Sequence, residues 1–282
     1  MSTTMLPAPA DARQSVDEGR TRLTTSRVVR GEWIKMRSLR STWIMLAAVF
    51  GAIVVFGILA AAVASGGVST QAGGPAFAQS TDPVSTVLSG ANFAVLLVAV
   101  LGVLVGAREY SSGLIRVPLA AVPSRYPVLV GKLAVFTALV TPAVLLGVLV
   151  AFLGGTAILD AGGVASASLS DPGVLGSVLG TAGYMVGLGI MGVALGVLLR
   201  GVAAGLGTLL GGILFVPTLA TALLPDSWDS VLKYLPSNAG QAFSSTIESS
   251  SLLDAGTGVV VFSLWVAAAL AGAAWTFMRR DA

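Results

Sequence analysis

The chain of 282 residues contains no cysteine and no histidine. Without cysteine there is no thiolate nucleophile, no disulfide and no cysteine metal site. Without histidine the usual base near neutral pH and the commonest metal ligand are gone, so Ser–His and Cys–His catalysis are excluded. A phosphate cradle fares no better. A Walker A loop needs glycines around a Gly-Lys-Ser/Thr sequence. The only Gly-Lys here is Gly131-Lys132, which is followed by Leu133 and has Tyr126 where the first glycine belongs. An enzyme is therefore not expected, nor a metal or cofactor bound by this chain, since no nucleophile–base pair or metal set is available.

Polar groups set within apolar sequence are the remaining candidates. Asn92 and Tyr184 are the notable ones. Either could touch a passing substrate, although hydrogen bonding between helices is the simpler role. No carboxylate or basic residue sits near the middle of any long apolar run. A charge at the bilayer centre costs about 2.5–3.5 kcal/mol on insertion scales, so it is kept mainly where function needs it. Proton- or sodium-coupled carriers and ion channels usually need one. Its absence suits a machine driven from outside the bilayer.

The elements that must position these groups are membrane helices. Hydrophobic residues make up 55% of the chain and charged residues 10%, against about 25% charged in an ordinary soluble domain. The apolar residues form separate long runs, at about 42–64, 84–106, 133–155, 174–199, 202–224 and 257–278. Each is long enough to cross roughly 30 Å of hydrocarbon. The expected fold is an all-α integral membrane protein with six transmembrane helices. Between Asp171 and Asp226 the only charge is Arg200, so Arg200-Gly201 reads as a tight turn between two spans. Ala62-Val63-Ala64 superficially resembles a signal-peptidase site, but the run before it starts too late and is too long for a signal peptide.

Charge distribution sets the orientation. With the N-terminus inside, the cytoplasmic segments are 1–41, 107–132, the Arg200 turn and 279–282, and these hold all 16 Lys and Arg residues except Lys233. The outer loops collect Asp82, Asp160, Asp171, Asp226, Asp229, Glu248 and Asp254. Both ends are therefore expected in the cytoplasm. Arginine dominates the basic residues and Ala, Gly and Val are abundant, the balance of a high-GC bacterial genome.

Residues 1–26 are polar and expected to be disordered. Residues 27–41 follow as a basic amphipathic helix, with Val29, Trp33, Met36, Leu39 and Trp43 on one side. Arg27, Arg30 and Lys35 lie elsewhere, Arg37 adds to the basic charge of the segment, and Arg40 intrudes on the apolar side. Such a helix tends to lie in the membrane interface; a plain positive-inside anchor is the alternative. Between the second and third spans lies a semi-apolar cytoplasmic loop with three prolines, running from Arg108-Glu109-Tyr110 through Gly113 and Arg116 to Lys132. The loop between spans 5 and 6, 225–256, is long and aromatic. Pairs of glycines four apart recur in spans 4 and 5, among them Gly176/Gly180, Gly183/Gly187 and Gly192/Gly196. They let helices approach closely, within the chain or between copies.

The runs GEWIKMRSLRSTW (31–43), REYSSGLIRVPLAAVPSR (108–125) and YLPSNAGQAF (234–243) together resemble the permease subunits of bacterial ABC-2-type transporters, over the six-span layout from about residue 27 onward. That resemblance implies an N-terminal connecting helix and a coupling helix after span 2 that docks on an ATPase. It also implies short outer-leaflet helices between spans 5 and 6. Glu109, Tyr110 and Gly113 fall on the family's Glu-Tyr-x-x-Gly pattern, and Arg108 and Arg116 flank it. The implied partners are two ABC ATPase subunits, which carry ATP and Mg, and a second copy or a homologous permease. Membrane lipids are expected around the chain and no nucleic acid. The implied function is export through the bacterial cell membrane of an apolar or amphipathic cargo such as a drug, a lipid or a hydrophobic peptide. A secondary carrier without an ATPase, or a non-transport membrane scaffold, are the alternatives.

Overall fold

A computed structural model describes residues 25–67, 82–111, 126–246 and 252–279, and all regular structure among them is helical. The coupling-loop residues Gly113 and Arg116 and the chain ahead of Thr25 lie outside the described residues.

Helix α1 (Thr25–Ser38) is separated by Leu39 from α2 (Arg40–Ala64), the first of six helices among the described residues that are long and apolar enough to cross a membrane. The second apolar run is divided. Asp82 accepts a 2.7 Å hydrogen bond from the Ser85 amide and Pro83 opens the helix, giving a single-turn α3 (Pro83–Val87). An Asp cap followed by proline is a strong helix start. The chain turns at Leu88-Ser89, so α4 (Gly90–Ser111) begins several residues later than the apolar run suggests.

Helix α5 (Tyr126–Ala161) is 36 residues long, about 54 Å at 1.5 Å per residue. It is longer than the roughly 30 Å of hydrocarbon and takes in Lys132, which the apolar pattern left in the preceding loop. Helix α6 (Val174–Leu199) ends in a two-residue turn, with Arg200 at φ 53° in the left-handed region, and α7 (Val202–Leu223) starts immediately. Gly211–Phe215 within α7 forms a π turn. Pro217 follows two residues on, and its ring would crowd the carbonyl four residues back in a regular α-helix; the wider turn relieves that. Two short helices, α8 (Asp229–Leu232) and α9 (Pro236–Ser244), precede the last span, α10 (Ala255–Arg279).

The centre of the bundle is the α4–α6 pair. Each has 61% of its most apolar window buried, against 11% for α7 and 17% for α10, so these two helices are the hub and α7 and α10 the rim. Around α6 pack α4, α5, α7, α9 and α10, while α2 packs against α4 and α5. Glycine makes the hub possible. A Cβ on Gly196 would stand 2.7 Å from the Val103 carbonyl oxygen, and one on Gly192 2.7 Å from that of Ala99. That part of the glycine pattern serves packing within the chain. Gly176 and Gly183 differ: nothing lies within 4 Å of where their Cβ would be.

These two environments predict substitutions of opposite sign. Gly196→Ala forces backbone against backbone and should cost about 1–3 kcal/mol. Gly183→Ala meets open space and should gain about 0.5–1 kcal/mol from helix propensity. Unfolding midpoints of the purified variants in detergent check both.

Candidate functional site

The two ends of the bundle differ chemically. At one end Ser41, Arg108, Lys132, Arg200 and Arg279 lie at the tips of their helices, and α1 lies against the start of α5. A small apolar cluster ties this end together: Val128 and Leu129 of α5, Ala194 and Val197 of α6, and Ala273 and Phe277 of α10, with Val28 of α1 packed on it. Arg108 reaches across from α4 to Ser41 at the start of α2, its Nη1 donating to the Ser41 hydroxyl at 3.4 Å.

Into this end the fold buries a pair of opposite charges. Lys132 is 3% exposed and Glu32 is 8% exposed. Lys132 Nζ stands 3.6 Å from Glu32 Oε2, and Lys35 Nζ stands 3.8 Å from the same oxygen. One carboxylate thus faces two ammonium groups at ion-pair distance. Burial, with the nearby Lys132 charge, lowers the pKa of Lys35 from the ordinary lysine value; Glu32 opposes the shift and Arg108 adds to it. Only Glu32 and Met36 of α1 are buried. Trp33, expected on the apolar side of an interfacial helix, is 37% exposed on the protein surface, while Glu32 and Met36 are the residues the helix buries.

The second feature is a cleft of about 1690 Å³ bounded by α5, α6 and α10. One wall is the face of α6 that carries Gly176 and Gly183; Leu145 of α5 and Val259 and Val266 of α10 supply others. The lining is mostly apolar. At its acidic end Asp254 caps α10, its Oδ2 accepting from the Thr257 amide at 2.9 Å and the Thr257 hydroxyl at 2.8 Å. These bonds hold its carboxyl below the usual range. Helix α9 closes that end against α6, where the Ser177 hydroxyl donates to the Ser244 carbonyl and Thr181 donates to the Ser177 carbonyl at 2.8 Å.

The residues singled out from sequence fall in three places. Arg30, Lys35, Arg37 and Arg40 lie on the exposed surface of α1 and the start of α2, next to Trp33. Arg108 is exposed near the end of α4; Glu109 and Tyr110 belong to the last turn of that helix, and their side chains lie outside the described residues, as do Gly113 and Arg116 altogether. Asn92 and Tyr184 are not brought together. Asn92 is exposed on α4, whereas Tyr184 is packed against Phe262 and Phe243, with ring centroids 5.3 and 6.4 Å away. Neither borders the cleft, although Phe243 and Phe262, on which Tyr184 packs, do.

Sequence reasoning missed Glu32 and Lys132. A signal existed for the first: Glu32 lies on the same helical stripe as Val29 and Met36, a carboxylate set among apolar neighbours. Gly131-Lys132 drew notice only as a failed phosphate loop. No protein-family model matches the chain, and no curated protein matches it. The function has to be argued from the residues.

Proposed function

We propose that the chain is the membrane-spanning subunit of an ATP-binding cassette exporter, working as a pair in the bacterial cell membrane and driven by separate ATPase subunits. The observation that carries this reading is the basic end of the bundle. An amphipathic helix packs there against the foot of α5, and in the sequence just ahead of α5 Glu109, Tyr110 and Gly113 match the permease docking pattern. Six apolar helices, and charged residues concentrated at helix ends, support a body that receives its work from a partner. Arg108 and Arg116 complement acidic groups on the ATPase, and α1 rests in the inner interface with Arg27, Arg30 and Arg37 toward the headgroups. Helices α8 and α9 sit in the outer leaflet. The apolar cleft suits an apolar or amphipathic cargo.

A secondary carrier has one observation in its favour, the buried Lys132–Glu32 pair, because ion-coupled carriers use buried titratable groups. The pair faces α1 at the basic end, however, and does not border the cleft. It therefore holds structure more readily than it exchanges protons with a cargo.

The orientation is open to direct labelling, since the chain has no native cysteine. A single cysteine at Ser168 should react with a membrane-impermeant maleimide on intact cells, and one at Ser38 only after permeabilisation. The reverse pattern would invert the topology. The partnership is tested by co-expression with the ABC ATPase subunits of the same genome. Wild type should co-purify with it, and Glu109→Arg should lower the recovered ATPase at least tenfold. Association untouched by the substitution would move the docking site elsewhere, and no association with wild type would remove the transporter assignment.

A further inference from the structure

We propose that the Glu32–Lys132 pair is a clamp that makes α1 and the foot of α5 move as one unit, so that a push on segment 112–125 reaches the amphipathic helix as well as the third span. The pushing partner rests on the function proposed above; the clamp itself does not.

Segment 112–125 runs directly into α5, and Lys132 stands in the second turn of that helix. Next to it, Gly131 marks where α1 meets α5: a Cβ there would make ordinary contact, 3.4 Å from Val28 Cγ1 and 3.6 Å from the Val29 Cα, so a small side chain is accommodated. The two helices meet at this point, and the charge pair lies inside the contact.

A lysine near a helix end normally extends its ammonium to the interface and stays hydrated. Lys132 instead keeps 4% of its side-chain surface exposed and Glu32 keeps 10%. A buried pair is rarely worth more stability than apolar residues of the same size, and its best-attested use is to fix register. Here the Glu32–Lys132 pairing favours one arrangement of α1 on α5, whereas the apolar contacts of Val28 and Val29 alone would tolerate sliding by a turn. Lys35 assists, since it neutralises the same carboxylate from a position 43% exposed. Lys132 and Glu32 are thus positioning residues, acting through the helices they join.

The test combines a cross-link with a coupling measurement on the full chain. A Val28→Cys/Gly131→Cys pair, the only cysteines present, reports the α1–α5 contact under mild oxidation. It should close rapidly in the otherwise wild-type chain. Adding Glu32→Gln or Lys132→Gln should slow closure at least fivefold, and the charge swap Glu32→Lys/Lys132→Glu should recover most of the rate. The same charge variants without the cysteines, co-purified with the ATPase in vesicles of bacterial lipid, should hydrolyse ATP near the wild-type rate. They should move at least fivefold less amphipathic dye per ATP, with recovery in the swap. A merely structural role would lower recovery of the complex and leave transport per ATP unchanged. Unchanged closure in the single variants, no recovery in the swap, or unchanged transport per ATP would each overturn the clamp. If no ATPase joins the wild-type chain, the exporter reading fails by itself and the cross-link still decides whether the clamp exists.

Discussion

In hydrocarbon the helices gain nothing from hiding apolar surface, so close backbone contact has to hold them together. The α4–α6 approach is that contact here. Gly192 and Gly196 let the two backbones meet at distances that no side chain would allow, and every other span is placed relative to this hub. Helix α2 completes one side with α5; α7 and α10 lie at the rim. Because α10 meets α6 chiefly near its ends, through Gly187 against Phe262 at one level and Ala194 and Val197 against Ala273 and Phe277 at another, the cleft between α5 and α10 stays open.

The basic end obeys a different rule. There the chain leaves hydrocarbon, charge becomes affordable, and the fold uses it for direction. Glu32 and Lys132 hold α1 on α5 in one register, and Arg108 bridges α4 to α2. The far end relies on caps and hydroxyls instead: Asp82 on α3 and toward Thr246, Asp254 on α10, Ser177 toward α9. A bundle with a glycine hub, a charge-registered foot and a capped far end is suited to passing a displacement along its length. The exporter proposal assigns that property a use.

The long uncharged runs made six spans legible in the sequence, since no other structure tolerates them. What was not legible has physical causes. The division of the second run at Leu88-Ser89 follows from the Asp82-Pro83 start, a local signal hidden at the edge of an apolar stretch. The π turn in α7 depends on how Pro217 is accommodated, which periodicity does not record. The structure places Glu32 inside because Lys132, a hundred residues away in sequence, waits there. Pairings of that kind are three-dimensional facts, and only the anomalous carboxylate on the stripe hinted at it.

The central claim is that work done by a separate ATPase moves a cargo through this bundle. Its most direct test places the chain, together with the ABC ATPase that co-purifies with it, in inverted vesicles with an amphipathic fluorescent dye, with a protonophore present to abolish ion gradients. The account predicts dye accumulation that persists under the protonophore and vanishes when ATP is withheld. Accumulation that the protonophore abolishes, and that a proton gradient alone restores without ATP, would contradict it.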